Sequence, residues 1–546
     1  MKEYYFEQYR KNVIGFNSCA KSHQFCDSLI YADWCGSGKL YKPIEEDILF
    51  KYGPLYSNLH SASNNSSMSF IEKEYYKKRE SIKKHFGLNN EYELILNGQG
   101  MTTAINQCIE ILKTDIAVPS QTVVFISPYE HNSNFITWRE KKYKIEVLRL
   151  DKDGLIDLNY FEMLLKKYSR RKKIVSITAC SNVTGIIIPL DGIGKICKKY
   201  DAVFIVDYTA CAPYIDIDMA TSDVDVLVCS SHKFVGGVQG VGILIIKKEL
   251  YRRNIPSNVG GGTVRWVNPY GNILYWDDIH LREEAGTVPI LQTIRTGLAI
   301  ELKEKIGSKK IMSREKEITQ NVISKLNDID DLRLFFPNVT KRLPIFSFIV
   351  YKKDYKDVVN SLYENVGAQV RGGCCCASIL AHTVLGINEI MIIQIRSSLA
   401  RNFGDFELAP RYGIECIHPY VDVELVNLLY AIPGEYKSSR GKLKVILRDI
   451  AKGKVPQKII DRVVKTNHVE LSQNGLRKNW MMVFSNLKKG RICELNFCDF
   501  TVKEWVQKLQ DFRCGKIVDD NIWVLLSLEV WLCEIEKKYG KLIYEE

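Results

Sequence analysis

Lys233 follows the apolar run Val226-Leu227-Val228-Cys229 and precedes Phe234-Val235-Gly236-Gly237. An amine just past a buried strand, among small residues, can condense with an aldehyde cofactor as a Schiff base. Most lysines are solvated surface groups, so Lys233 gains meaning only from its companions. Asp207 ends the run Val203-Phe204-Ile205-Val206. A carboxylate there can keep a pyridinium nitrogen protonated, or it can be a turn or helix-cap aspartate. Asn182, in Cys180-Ser181-Asn182-Val183-Thr184-Gly185, can donate to a phenolic oxygen or close a turn. His131, in Pro128-Tyr129-Glu130-His131-Asn132, can stack on an aromatic ring or sit in a core. Gly98-Gln99-Gly100-Met101-Thr102-Thr103-Ala104 lies between a strand and a helix, where free N–H groups bind phosphate. A plain loop has the same composition.

A second cluster is Arg371-Gly372-Gly373-Cys374-Cys375-Cys376-Ala377. Arginine grips a carboxylate through a bidentate fork, and a thiolate beside it can attack sulfur. Three consecutive cysteines can also be small buried residues or a metal clip. Adjacent cysteines ligate one tetrahedral metal poorly, and no histidine–cysteine spacing completes a zinc site.

The elements that must position these residues are visible as β-branched runs at 94–96, 123–126, 145–148, 174–177, 203–206, 226–228 and 241–246, alternating with helical patterns. That alternation predicts an α/β fold with a mostly parallel seven-stranded sheet, and functional groups beyond the carboxyl ends of its strands. A single long helical pattern is expected from about Pro289 to Leu326. Residues 343–351, 354–365 and 368–370 read as strand, helix and strand of a smaller α+β domain. From about residue 385 strand signals vanish, which predicts an all-helical end.

The order of motifs resembles the class V aminotransferase family of pyridoxal-phosphate enzymes, in its cysteine desulfurase-like branch, over about residues 25–385. The resemblance implies a fold-type I transferase. It makes Lys233 the Schiff-base lysine, Asp207 the partner of the pyridine nitrogen, His131 the stacking ring and Asn182 a contact of the ring oxygen. Gly100, Met101, Thr102, Ser230 and His232 would hold the phosphate. Thr287, in Glu284-Ala285-Gly286-Thr287, would reach the phosphate of a neighbouring subunit, which implies a homodimer. Cys376, five residues after Arg371, would take sulfur from L-cysteine as a persulfide. Arg371 or Arg396 would anchor the substrate carboxylate. Two departures stand out. Ala210 replaces a glutamine donor common in relatives, and Met101 replaces a threonine, so a backbone N–H must serve the phosphate there.

The end of the chain resembles the synthetase domain of the asparagine synthetase family. The resemblance rests on 409–422, on Gly441-Lys442-Leu443-Lys444-Val445-Ile446-Leu447-Arg448, on Gly453-Lys454-Val455-Pro456 and on Asp461-Arg462-Val463-Val464-Lys465. Glu415 and Lys465 match positions lining an acyl-adenylate site. The Ser-Gly-Gly-x-Asp-Ser pyrophosphate loop of that family occurs nowhere in this sequence, so a non-catalytic appendage is expected. The junction is ambiguous, because 392–400 can be read into either family. The expected division is 1–290 cofactor-binding domain, 291–390 small domain and 391–546 helical segment.

Composition bounds the rest. Hydrophobic residues are 46% and charged residues 26% of 546, the balance of a globular protein. The net charge of +12 is scattered, with no basic stripe interleaved with aromatics, so no nucleic acid is expected. No apolar run approaches 18 residues, so no membrane span is expected. The 16 cysteines are dispersed and the opening Met1-Lys2-Glu3-Tyr4 is charged, which predicts reduced thiols and a cytoplasmic location. Three functions fit. One is desulfurase-like sulfur transfer to an acceptor. Another is a further class V reaction, such as transamination, epimerisation or lysis. The last is a non-enzymatic partner of an ATP-dependent amide ligase.

Overall fold

The computed structural model describes residues 2–16, 29–59 and 66–385 except 115 and 352, and in the tail 438–439, 442–443, 452–454, 457, 480–487, 490–494, 501–514 and 529. The chain divides into two compact units, Met1–Cys416 and Ile417–Glu546.

The first strand, β1 (Ile30–Tyr31), is short and pairs far along the chain. The seven apolar runs become β2 (Tyr92–Asn97), β3 (Thr122–Ile126), β4 (Lys144–Val147), β5 (Lys172–Thr178), β6 (Ala202–Asp207), β7 (Val226–Ser230) and β8 (Gly242–Lys247). They form one sheet in the order β2-β8-β7-β6-β5-β3-β4. Only β8 runs against the others: it pairs antiparallel with both β2 and β7. Successive side chains point to opposite faces. Leu94, Phe125, Phe204 and Ile245 therefore pack on one face, and Ile95, Val124, Ile205 and Leu244 on the other. Helices cover both faces, which is why these strands are apolar throughout rather than alternating.

An exposed hairpin, β9 (Val264–Val267) with β10 (Ile273–Tyr275), precedes the smaller domain. The expected long helix is two helices, Ile290–Ile306 and Ser308–Asn327. Gly307 at φ +90° breaks them, a conformation that L side chains rarely adopt. The predicted strand at 343–351 shrinks to β12 (Phe348–Val350), which pairs antiparallel with β11 (Leu332–Leu334). Its first half is diverted toward the large sheet: Leu343 N–H donates to Gly185 O at 2.8 Å, and Ser347 Oγ to Val183 O at 2.6 Å. Pro344 has no N–H for a ladder. The helix Tyr355–Val366 and β13 (Ala368–Gln369) follow, and β13 pairs in parallel with β1 rather than with β12.

In the tail unit the helices Trp480–Leu487, Arg491–Glu494 and Val502–Arg513 agree with the helical expectation. Buried Glu529 accepts from the N–H groups of Arg491 and Ile492, at 2.9 and 2.8 Å, and so satisfies free donors at a helix start. The segment is not all-helical, because Ser438–Ser439 and Lys442–Leu443 form a small antiparallel pair, the second strand of which falls in the motif at 441–448. Among the described residues no helix is long and apolar enough to cross a membrane.

Candidate active site

The parallel strands deliver their carboxyl ends to one side, and the expected residues lie just past them. Gly98 and Gly100 follow β2, His131 follows β3, Asn182 follows β5, Asp207 ends β6, and Ser230, His232 and Lys233 close β7. Asp207 and Val228 are register partners, so Lys233 lies five residues beyond the position beside the carboxylate. His131 senses both. Burial lowers its pKa first, the Asp207 charge opposes that, and the Lys233 charge reinforces it.

Ser133 N–H donates to His131 Nδ1 at 3.2 Å, so the neutral ring carries its proton on Nε2. Ser133 Oγ also lies 3.1 Å from that nitrogen and 2.8 Å from Thr102 Oγ1. Below this turn Glu130 is fully buried. It accepts from Ser127 Oγ at 2.5 Å, Asn134 Nδ2 at 2.6 Å and Thr178 N–H at 2.9 Å, yet burial still pushes it up to about 8.

The helix Gly100–Leu112 starts without a side-chain cap, leaving free N–H groups at its first turn. Gly100 has φ +66°, and a Cβ there would stand 2.8 Å from Ser230 Oγ and 3.8 Å from His232 Nδ1. Gly100, Ser230 and His232 are thus packed together, with room only for hydrogen at position 100. The expectation for Met101 needs correction. Its N–H is already donated to Ser230 Oγ at 2.7 Å, so the neighbouring N–H groups and Thr102 are the remaining donors. Thr287 is exposed and joins none of these bonds. Its segment is fixed by Glu284, which accepts from Arg79 Nη1 at 2.7 Å and from Leu96 N–H at 2.9 Å.

Asp207 is buried, and Oδ1 accepts from Thr209 N–H at 3.0 Å. Thr209 Oγ1 is buried with no hydrogen-bond partner among the described residues. An orphaned hydroxyl two residues past the carboxylate, a glycine cradle at a helix start and a half-buried lysine fit a phosphorylated aromatic aldehyde. No local pattern in the sequence marks Thr209; only Ala210, in place of a glutamine, stands out there.

The cysteine segment turns over the same site. Cys374 and Cys376 are exposed and Cys375 is half-buried, which removes the reading of three buried packing residues. Cys375 and Cys376 have φ of +49° and +57°, a left-handed pair that costs about 1–2 kcal/mol per residue. Asn182 Nδ2 donates to Cys375 O at 3.0 Å and Asn132 N–H to Cys376 O at 2.7 Å, so the loops after β5 and β3 hold the turn. Asn182 therefore spends one amide hydrogen on this turn. Arg371 Nη2 bonds Asp33 Oδ2 at 2.7 Å, and that bond, ahead of burial, raises the arginine pKa. Asp33, Cys35, Asn182, Lys233, Arg371 and Cys375 line one cavity of about 1120 Å³. A drug-sized ligand needs roughly 300–1,000 Å³, so the cavity has room for an amino acid beside Lys233, while His131, Asp207 and the glycine cradle lie outside its lining. Asp33 and Cys35 were also missed by the sequence reading. The Gly-rich stretch Trp34-Cys35-Gly36-Ser37-Gly38 was their only local signal. Arg396, Glu415 and Lys465 lie outside the described residues.

Residues 30–404 match the family model "Aminotransferase class-V", and residues 388–532 match "Asparagine synthase". The two matches overlap at 388–404, where the sequence reading found the junction ambiguous. A probable cysteine desulfurase of Halalkalibacterium halodurans is 29% identical over 356 residues, 64% of this chain and 85% of that protein. A cysteine desulfurase of Haloferax volcanii is 24% identical over 363 residues, 66% and 83% of the two chains. The solved apo structure of a cysteine desulfurase from Thermococcus onnurineus superposes with a TM-score of 0.60 at 24% identity, covering 70% of this chain and 91% of that one.

Proposed function

Since the chain belongs to the class V aminotransferase family, whose cofactor is pyridoxal phosphate, we propose that it removes sulfur from L-cysteine, giving alanine and a sulfur held on Cys376. When bound, pyridoxal phosphate supplies an electron sink conjugated to the substrate Cα. Lys233 would hold the aldehyde cofactor through its Nζ, and its amine would carry the substrate Cα proton. Asp207 accepts a hydrogen bond from the pyridine N–H. His131 covers the ring, and Asn182 turns its second amide hydrogen to the phenolic oxygen. Thr102, Ser230, His232 and the free N–H groups around Gly100 and Met101 bind the phosphate. Thr287 of a second copy completes that site in a homodimer. Arg371 or Arg396 orients the substrate carboxylate. The Cys376 thiolate attacks the substrate sulfur. A sulfur–sulfur bond forms, the substrate Cβ–S bond breaks, and the carbon fragment is protonated to alanine.

The observation that carries this reading is the shared cavity: Lys233, Arg371, Cys374 and Cys375 line one space, and Cys376 follows them on the same turn. Exposed thiols on a strained turn suit a nucleophile better than a core. The reading is tested by the absorbance of the purified protein with and without L-cysteine, followed by product analysis. A band at about 420 nm, typical of a lysine Schiff base of this kind, is expected, together with alanine and, once a thiol reductant is added, sulfide. Lys233→Ala should lose the band. Cys376→Ala should keep it and lose sulfur release. If Cys376→Ala turns over unchanged, the reaction is another of the class V type, such as transamination or epimerisation. We assign the tail no chemistry of its own.

A further inference from the structure

Asn132 stands between His131 and the helix Ser133–Glu140, at the position that precedes the first helical residue. An asparagine there ordinarily caps its own helix, its side-chain oxygen accepting from an N–H two or three residues on. Asn132 makes no such bond. Its Oδ1 instead accepts from Ser378 N–H at 3.2 Å and from Ser378 Oγ at 2.8 Å. Ser378 opens a different helix, Ser378–Leu385, 246 positions further along the chain. The oxygen therefore satisfies a free donor at the start of the helix that follows the cysteine turn.

The main chain of Asn132 grips the same turn. Its N–H donates to Cys376 O at 2.7 Å. One residue thus holds both Cys376 and Ser378, with buried Ala377 between them, whose N–H is donated to Cys374 O at 2.9 Å. From the other side Asn182 Nδ2 holds Cys375 O at 3.0 Å. Cys375 and Cys376 are both left-handed, and non-glycine residues stay in that region only where their surroundings over-determine it. The bond also sets the Cys376 backbone against the residue that adjoins His131, which ties the cysteine turn to the loop after β3.

We propose that Asn132 is a positioning residue for Cys376: by capping the helix Ser378–Leu385 it locks the cysteine turn onto the loop that carries His131, and so presents the Cys376 thiol to the substrate sulfur. This inference rests on the sulfur-transfer reading above. Asn132 touches none of the reacting atoms in this role. Among the described residues its side chain acts only as an acceptor, so the oxygen is what the turn requires and the amide NH2 is dispensable. Attack within a site depends steeply on placement, and a shift of about 1 Å costs on the order of a hundredfold.

The test measures alanine formation from L-cysteine by the holoenzyme and, on the apoprotein, amide exchange at Ala377 and Ser378. Asn132→Leu keeps the backbone N–H and loses Oδ1. Its kcat should fall roughly tenfold or more with KM within about twofold, the cofactor absorbance band should stay, and both amides should exchange about tenfold faster. Asn132→Asp keeps the acceptor and should remain within roughly threefold of wild type in both readouts. Ser378→Ala removes one donor and should lower kcat roughly threefold, with no further loss when combined with Asn132→Leu. Should Asn132→Leu fail to fold, Ser378→Ala carries the test. Wild-type kcat in Asn132→Leu or in Ser378→Ala, with or without faster exchange, overturns the inference and leaves the sulfur-transfer reading standing. Equal losses in Asn132→Leu and Asn132→Asp overturn it as well. Alanine formation by Cys376→Ala at the wild-type rate overturns the sulfur-transfer reading and the inference with it.

Discussion

Replacing Glu284 by alanine should unsettle the cofactor cradle from a distance. Arg79 and Glu284 are 2% and 4% exposed in their side chains, so water screens their ion pair very little. Arg79 Nη1 reaches both carboxylate oxygens at 2.7 and 2.9 Å, and its Nη2 donates to Leu94 O at 2.9 Å. Burial alone would lower the arginine pKa, but Glu284 reverses that and holds it well above the ordinary value. Removing the carboxylate strands a buried guanidinium, which costs about 3–5 kcal/mol. Leu96 N–H loses its acceptor as well, adding ~1–3 kcal/mol if no other group fills in. By contrast, the surface pair Lys83–Glu80, with Glu80 68% exposed, is worth about 0–1 kcal/mol. The assay is the urea midpoint of the holoenzyme, read with amide exchange at Leu96, two residues before Gly98. Arg79→Met combined with Glu284→Leu should recover most of the loss, because no charge is then left unpaired. A Glu284→Ala cost below about 1 kcal/mol, or a double variant no better than the single one, would refute the reasoning.

Other predictions concern acid, the cradle and the Asp33–Arg371 clamp. The His85 side chain is buried, and burial first and the Lys303 charge next lower its pKa to about 4 from 6.5. Below pH 6.5 the unfolded chain binds the proton that the folded one refuses, so stability is full above 6.5 and falls toward pH 4. The loss is about 3 kcal/mol at most, and His85→Gln should flatten that slope in urea titrations at several pH values; an unchanged slope would count against it. Gly100→Ala forces a side chain into φ +66° and to within 2.8 Å of Ser230 Oγ. The backbone cost of about 1–2 kcal/mol should appear as roughly tenfold weaker retention of pyridoxal phosphate on dialysis; wild-type retention would show that the cradle is not packed as described. Gly36→Ala puts a methyl on the Arg371 guanidinium, so it should part the Asp33–Arg371 clamp and speed alkylation of Cys35. An unaltered rate would mean that the clamp does not shelter the thiol.

How much of this was legible depends on the range of the interaction. Strand burial is a local pattern: runs such as Val203-Phe204-Ile205-Val206 are apolar because helices cover both faces, and that forecast all seven strands. Residue types at the strand ends forecast the cradle, the buried carboxylate and the lysine, because a parallel sheet sends its carboxyl ends to one side. The fold alone decided what depends on contacts distant in sequence. Asp33 meets Arg371 across 338 positions through a two-residue strand pair, too short to leave a periodic signal, so Cys35 stayed invisible. The break at Gly307, the loss of the Met101 N–H to Ser230 and the left-handed turn at Cys375 and Cys376 are likewise set by packing partners. Local sequence fixes which groups are available. Only tertiary contacts fix which of them are already engaged and which remain free to react.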